Sequence, residues 1–301
     1  MLASLKQLFL SLRPHQWTKN LVVLAALVFS EHLYDRSSLE SALSAFAVFC
    51  LLSGAVYLVN DLADLESDRQ HPVKRLRPLA AGKLSTRVAK VSVLVFAGIG
   101  LAWAFALGVP VGNVALAYFV INIAYSQVLK NVVILDVLVV AFGFVLRAIA
   151  GALAIDVTFS NWLLICTLLL ALFLALAKRR HELLLLADGA VAHRRILGEY
   201  SPLLLDQMIA VVTASTLISY ALYTQAEETI IKFGTDRLVW TLPLVMYGIF
   251  RYLYLVYQKQ EGGSPTEVLL NDRPILVAVA LWAAMVVTVI YHGNSVGLDF
   301  S

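Results

Sequence analysis

The sequence predicts an all-α, polytopic membrane protein with nine transmembrane helices around a central cavity open to the cytoplasmic face. Three observations predict the membrane class. Of the 301 residues, 60% are hydrophobic and only 14% are charged, against about 25% charged in soluble domains. Mean hydropathy is +0.81. The apolar residues fall in continuous runs near the ~20 residues that a helix needs to cross a bilayer core, not in the period-two alternation of a β-barrel. So few charges cannot cover a soluble surface of this size, which excludes an ordinary cytosolic enzyme and a disordered chain. The two cysteines, Cys50 and Cys166, both lie inside apolar runs, which excludes a secreted disulfide scaffold.

The elements follow in order. Met1 to Arg13 is amphipathic, with Leu2, Leu5, Leu8, Phe9 and Leu12; residues 1–17 are expected to lie as an interfacial helix, with no signal-peptide cleavage site. Nine runs come next: 18–34, 39–60, 88–108, 112–128, 132–155, 160–177, 207–225, 238–257 and 274–292. No linker or composition break divides them, so 1–301 is expected to be a single domain.

Lys and Arg orient the runs. One side collects Lys6, Arg13, Lys19, Arg69, Lys74, Arg75, Arg77, Lys83, Arg87, Lys90, Lys130, Lys178, Arg179, Arg180, Arg194, Arg195, Lys259 and Arg273; the other holds only Arg36, Lys232 and Arg237. The expected N-terminus is cytoplasmic. The two longest cytoplasmic loops, 61–87 and 178–206, hold most of the polar chemistry. A transporter would place its polar groups within spans; this arrangement favours an enzyme working at the membrane face.

The first loop opens with Asn60-Asp61-Leu62-Ala63-Asp64-Leu65-Glu66-Ser67-Asp68. On a helix Asn60, Asp64 and Asp68 form one stripe, with Asp61 at its edge. Carboxylates this close repel unless a cation joins them, and oxygen donors select Mg²⁺, which completes its shell with water and phosphate oxygens. Lys74, Arg75 and Arg77 follow, between Pro72 and Pro78, and supply cations for a phosphate. The segment reads as a Mg²⁺–diphosphate site; a solvated loop of surface salt bridges is the alternative. In the second loop, Lys178-Arg179-Arg180-His181-Glu182 is either a topology anchor or a second phosphate clamp, and the roles of His181 and His193 stay open. Tyr125 and Lys130 stand at a span end. Arg147 lies near the middle of a span, either in a structural ion pair with a group such as Asp136 or facing the cavity to meet an anionic ligand.

At these residues the chain resembles the UbiA superfamily of intramembrane prenyltransferases. Asn60-Asp61-x-x-Asp64-x-x-x-Asp68 matches its first Asp-rich motif. The second Asp-rich motif is replaced by Lys178-Arg179-Arg180-His181-Glu182. The pattern is more similar to one branch, the decaprenyl-phosphate phosphoribosyltransferases, through Arg13-Pro14-x-Gln16-Trp17-x-Lys19-Asn20, through the block from Asp68 to Gly82, through Arg147-Ala148-Ile149-Ala150-Gly151, and through Lys178-Arg179.

What the resemblance implies is transfer of 5-phosphoribosyl from phosphoribosyl diphosphate to a polyprenyl phosphate, for an arabinan-type envelope glycan, in a bacterial plasma membrane. A conventional UbiA enzyme prenylating an aromatic acceptor is the runner-up. The implied metal ligands are Asn60, Asp61, Asp64 and Asp68, with Asp61, Asp64 and Asp68 also catalytic. Lys19, Lys74 and Arg77 are assigned to donor phosphates, and Lys130, Arg147, Lys178 and Arg179 to the 5-phosphate and the acceptor phosphate. Tyr57 and Tyr125 complete the expected site; Tyr57 either hydrogen-bonds a substrate or only packs. No nucleic acid is expected as a partner, and a homo-oligomer is compatible with the pattern.

Overall fold

The computed structural model describes residues 2–158, 160–186, 195–260, 263 and 265–292. Among these residues there is no strand. The helices are α1 (Leu2–Ser11), α2 (Ala25–Phe29), α3 (Arg36–Ala63), α4 (Leu65–Gln70), α5 (Thr86–Leu107), α6 (Val109–Gln127), α7 (Leu135–Ala154), α8 (Asn161–Leu186), α9 (Pro202–Gln225), α10 (Glu227–Phe233), α11 (Leu242–Gln258), α12 (Pro265–Asn271) and α13 (Arg273–His292). A 3-10 segment, Pro14–Leu24, runs straight into α2. Among the described residues eight helices are long and apolar enough to cross a membrane: α3, α5, α6, α7, α8, α9, α11 with the turn before it, and α13.

Eight of the nine expected spans are therefore present as helices of that length, and the first is not. Residues 18–34 fall in the 3-10 segment, the short α2 and the turn after it. Thr18, Asn20, Val22 and Val23 are weak α-helix formers. At ~2.0 Å per 3-10 residue and ~1.5 Å per α residue the composite from Pro14 to Phe29 extends about 30 Å, so it has the reach of a span without its usual backbone. The expected interfacial helix is also shorter than 1–17. It ends at Ser11, because Pro14 bars the right-handed helical conformation at Arg13. Arg13 turns instead into the left-handed region, at φ 54° and ψ 63°.

Contacts gather the described residues into two compact units, where the even composition predicted one domain. Both units are equally apolar, so composition carries no trace of the division. The first unit takes the described residues of Met1–Phe159 and of Asp188–Glu199, the second those of Ser160–Ala187 and Tyr200–Ser301.

In the first unit α3 is the central element. Asp35 caps it, its carboxylate accepting from the Ser38 N–H at 2.8 Å. Its 28 residues extend about 42 Å, longer than a ~30 Å hydrocarbon core, and its last turn carries the polar pair Asn60 and Asp61. Val48, Phe49 and Leu52 of α3 pack with Val23, Ala104, Ala115, Tyr118, Leu146 and Ala150. Lipid is as apolar as leucine, so close packing rather than water exclusion holds such helices together. Gly100 serves this end: a Cβ there would lie 2.9 Å from Leu52 Cδ2. Gly108, at φ 144°, makes the one-residue turn from α5 into α6. Leu94, Val91, Ile99 and Val120 stay exposed, as lipid-facing residues do.

In the second unit polar groups join neighbouring helices. Arg180 donates to Asp206 at 2.5 Å, the Tyr257 hydroxyl donates to the same carboxylate at 2.9 Å, and the Arg180 guanidinium lies 4.1 Å from the Tyr257 ring. Trp282 Nε1 donates to the Tyr220 hydroxyl, which shares a 2.6 Å hydrogen bond with Thr241. Asp272 accepts from Arg251 at 2.8 Å and caps α13 through the Ile275 N–H at 2.9 Å.

The Arg251 hydrogen bond, with the cap behind it, holds the Asp272 carboxyl below the usual carboxylate range. Its contribution to stability is therefore present above the ordinary value of about 3.9 and is lost as pH falls through the lowered folded value. Asp272→Ala is expected to cost about 1–2 kcal/mol at neutral pH. Thermal unfolding in detergent checks this, and the gap from wild type should narrow as the buffer is acidified toward that window.

Candidate active site

The C-terminal end of α3 builds the site. Backbone bonds of helical spacing continue through the junction: Asp64 N–H to Asn60 at 2.9 Å and Asp68 N–H to Asp64 at 2.8 Å. Asp64 itself departs from helical geometry, at φ −99° and ψ 10°, and α4 carries the chain onward. Residues seven apart fall on nearly the same helical face. Asp61 and Asp68 accordingly face one cation together. Arg77 Nη1 donates to Asp61 at 3.2 Å and to Asp68 at 2.6 Å. Asp61 also accepts from Arg13, and Asp64 accepts from Lys130. The expected stripe of Asn60, Asp64 and Asp68 is thus regrouped: Asp61 pairs with Asp68, while Asp64 turns to another partner at the helix junction. Asp61 and Asp68 are 2% and 1% exposed; Asn60 and Asp64 are half-buried.

Each cation arrives by a distinct local device. Arg77 follows a tight turn in which the Val73 and Lys74 N–H groups donate to His71 Nδ1 at 3.1 and 3.2 Å. That bonding places the His71 proton on Nε2. A short 3-10 turn, Lys74–Leu76, then aims Arg77 back at α3. Arg13 reaches Asp61 from its left-handed position before Pro14, and its guanidinium lies 4.8 Å from the Tyr57 ring centroid. Burial pushes the Arg13 pKa down, against the pull of Asp61; an arginine keeps its charge regardless. Lys130 sits in the 3-10 turn Leu129–Asn131 between α6 and α7, where Ile134 takes φ 70°.

Four further expected residues, Lys19, Lys74, Tyr125 and Arg147, lie on the same unit. Lys19 is half-buried in the 3-10 segment, within electrostatic range of Arg147 and Arg13, and makes no hydrogen bond or ion pair with a described residue. Arg147 is buried on α7 and donates to Asn20, Gly143 and Tyr118. These partners are neutral, so neither an ion pair with Asp136 nor any other carboxylate partner forms among them. Tyr125 is half-buried on α6, Lys74 is half-buried, and Arg75 is exposed. Lys178 and Arg179 belong to the second unit, on α8, and both pair with Glu182. Residues 178–186 of the expected second loop are thus helical. His181 lies there beside Gly263, and His193 and Arg194 lie outside the described residues.

Among the described residues no three His, Cys, Asp or Glu side chains gather on one metal-sized point. The chemistry of the donor set still fits a hard cation, since Asn60, Asp61, Asp64 and Asp68 offer only oxygens. Mg²⁺ takes one or two protein carboxylates and fills its remaining positions with water and phosphate oxygens. Such an ion does not require three of these side chains to converge.

The model of the UbiA prenyltransferase family matches residues 21–264. The chain belongs to this family. A decaprenyl-phosphate phosphoribosyltransferase of Corynebacterium glutamicum is 33% identical to it over 288 residues, covering 93% of this chain and 86% of that one. The decaprenyl-phosphate phosphoribosyltransferase of Mycolicibacterium smegmatis is 32% identical over 292 residues, covering 93% and 91%. The solved structure of a UbiA homolog from Archaeoglobus fulgidus, bound to GPP and Mg²⁺, aligns with a TM-score of 0.72 at 20% identity, over 95% of this chain and 99% of that one. At that identity the likeness speaks for the UbiA fold. This UbiA-family chain is a multi-pass membrane protein and a transferase.

Three residues that the structure draws in with the expected ones escaped assignment in the sequence: Arg13, Asn20 and Tyr118. The first two lie in the run Arg13-Pro14-x-Gln16-Trp17-x-Lys19-Asn20, which did stand out. Arg13 reads there as one more topology charge, because nothing local announces a partner 48 residues away.

The Arg77–Asp68 pair gives a test of the geometry. Arg77→Ala orphans a buried carboxylate and is expected to destabilise by roughly 3 kcal/mol. Adding Asp68→Asn should restore more than half of the loss, read as the thermal midpoint in detergent. Equal midpoints for the single and double variants would contradict the pairing.

Proposed function

We propose that this UbiA-family chain transfers the 5-phosphoribosyl group of phosphoribosyl diphosphate to a polyprenyl phosphate resembling decaprenyl phosphate, releasing diphosphate. Its lipid product would feed an arabinan-type envelope glycan. One observation carries the reading. Three carboxylates are each matched by a cation from another stretch of chain, Asp61 by Arg13, Asp68 by Arg77 and Asp64 by Lys130, and Lys19, within electrostatic range of Arg13, has no carboxylate partner among the described residues. Such a cluster has both halves of a metal–diphosphate site: oxygen donors for a hard cation and cations for phosphate oxygens. The named relatives from Corynebacterium and Mycolicibacterium support the choice of donor and acceptor.

Mg²⁺ would be held by Asn60 and Asp64, with Asp61 and Asp68 as ligands directly or through water. Bound there, it supplies Lewis-acid stabilisation of the negative charge on the departing diphosphate. The side chains do the rest. Arg13, Arg77 and Lys130 exchange a carboxylate oxygen for a phosphate oxygen, so no buried charge is left unmatched during binding. Lys19 and Lys74 add further donors, and these fixed cations stabilise charge as it develops on the leaving group. The acceptor phosphate is already ionised, so its oxygen needs no general base to attack the ribose carbon. The apolar tail of the acceptor lies in the bilayer. The bacterial relatives support a bacterial plasma-membrane location, and the distribution of Lys and Arg supports a cytoplasmic N-terminus with the Asn60–Asp68 end of α3 on the cytoplasmic side.

The test is incubation of purified protein with labelled phosphoribosyl diphosphate, Mg²⁺ and a series of polyprenyl phosphates. A labelled lipid is expected, lost on addition of a chelator. Asp64→Ala and Asn60→Ala should each lower turnover by on the order of 100-fold or more while still yielding folded protein. Label that stays in the aqueous phase with every acceptor overturns the proposal.

A further inference from the structure

We infer that Arg147 and Gly151 of α7 are positioning residues that lock the 3-10 segment Pro14–Leu24 in register and so set Arg13 and Lys19 for the donor phosphates. The docking follows from geometry alone; its purpose rests on the donor proposed above.

Arg147 is 6% exposed and its guanidinium is largely committed inside the protein. Nε donates to Asn20 Oδ1 at 2.7 Å, one terminal nitrogen to the Gly143 carbonyl at 2.9 Å, and the other to the Tyr118 hydroxyl at 2.7 Å. The Tyr118 and Phe144 rings lie 4.6 and 5.1 Å away. A cation at membrane depth is costly, and here every partner that offsets the cost also fixes its orientation. Asn20 is fixed in turn. It is 1% exposed, its oxygen accepts from Arg147, and its Nδ2 donates to Ser53 Oγ and Cys50 Sγ at 3.3 Å each. One amide therefore joins the 3-10 segment to α7 and α3.

A second contact repeats the first one turn along. A Cβ on Gly151 would overlap the carbonyl oxygen of Val23. Arg147 and Gly151 are four residues apart on an α-helix, while Asn20 and Val23 are three apart on a 3-10 helix. At ~1.5 and ~2.0 Å per residue both separations come to about 6 Å. The tighter winding is what lets both contacts form together. Runs of 3-10 helix beyond three or four residues are uncommon, and this one has eleven; the paired contacts account for its persistence. A slip of one residue would set Lys19 against Arg147, cation to cation. In the observed register Lys19 escapes that position, and Arg13 at the head of the segment meets Asp61.

Gly151→Ala tests this without altering any charge. Amide hydrogen exchange across 16–24 should quicken by about tenfold or more, with exchange in α5 unchanged. KM for phosphoribosyl diphosphate should rise about tenfold, with kcat within about threefold of wild type. Combined with Arg13→Lys, the effects on KM should fall short of multiplying, because both act through one segment. If Gly151→Ala does not yield folded protein, Asn20→Ala carries the same comparison. Unchanged exchange overturns the docking. Faster exchange with unchanged KM, or effects that multiply in full, overturns its role in donor binding. A wild-type protein inert toward phosphoribosyl diphosphate would remove the proposed donor, while the exchange result would still decide the docking.

Discussion

The charge of Asp61 is the constraint on which the first unit depends. Its carboxylate is almost wholly buried, and a lone ionised group in that position would cost several kcal/mol. Two guanidiniums meet it, from positions 48 residues before it and 16 after it. To bring them there the chain gives Arg13 a left-handed backbone, which costs about 1 kcal/mol or more, and folds residues 71–77 into a turn held by a histidine nitrogen. The N-terminal segment and the basic turn are thus pinned to the end of α3 by one carboxylate. Asp64 and Lys130 repeat the device for the turn between α6 and α7.

Four cations of this unit, three half-buried and one buried, are matched in two ways, and the difference sorts their roles. Arg13, Arg77 and Lys130 face carboxylates, whose oxygens a phosphate oxygen can replace like for like. Arg147 faces an amide, a phenol and a backbone carbonyl, and it has nothing to exchange. The first kind of pairing suits a ligand site; the second suits a joint. The second unit uses carboxylate pairing of its own, with Arg180 and Tyr257 on Asp206, at points where helices meet.

Much of the fold was legible because bilayer thickness converts directly into run length. The runs at 39–60, 88–108 and 132–155 reappear as α3, α5 and α7, with ends shifted by a few residues. The winding of the first run was not legible because hydropathy counts apolar side chains and is blind to backbone geometry; Val22 and Val23 score as membrane residues in either helix type. The acidic cluster was legible from its spacing, yet its grouping was not. A stripe of i, i+4 and i+8 joins Asn60, Asp64 and Asp68, but Asp61 and Asp68, seven residues apart, share a face as well, and the approach of Arg77 is what selects them as the pair. Arg13 was hidden for a related reason: a positive-inside tally treats all cations as equivalent and cannot single out one whose backbone is turned toward a distant carboxylate.

The end of α8 extends the same reasoning to the acceptor. Where UbiA relatives are expected to carry a second acidic motif, this chain has Lys178, Arg179 and Arg180 with one glutamate, and Glu182 is taken by Lys178 and Arg179 together. A second metal would need donors that this stretch lacks. An enzyme whose lipid brings the diphosphate gains from two metals, since all the charge to be neutralised is on one leaving group. In the proposed reaction the diphosphate leaves from the sugar and the lipid brings a separate phosphate. On that proposal, basic residues rather than acidic ones at this position suit an enzyme with a second, separate anion to bind.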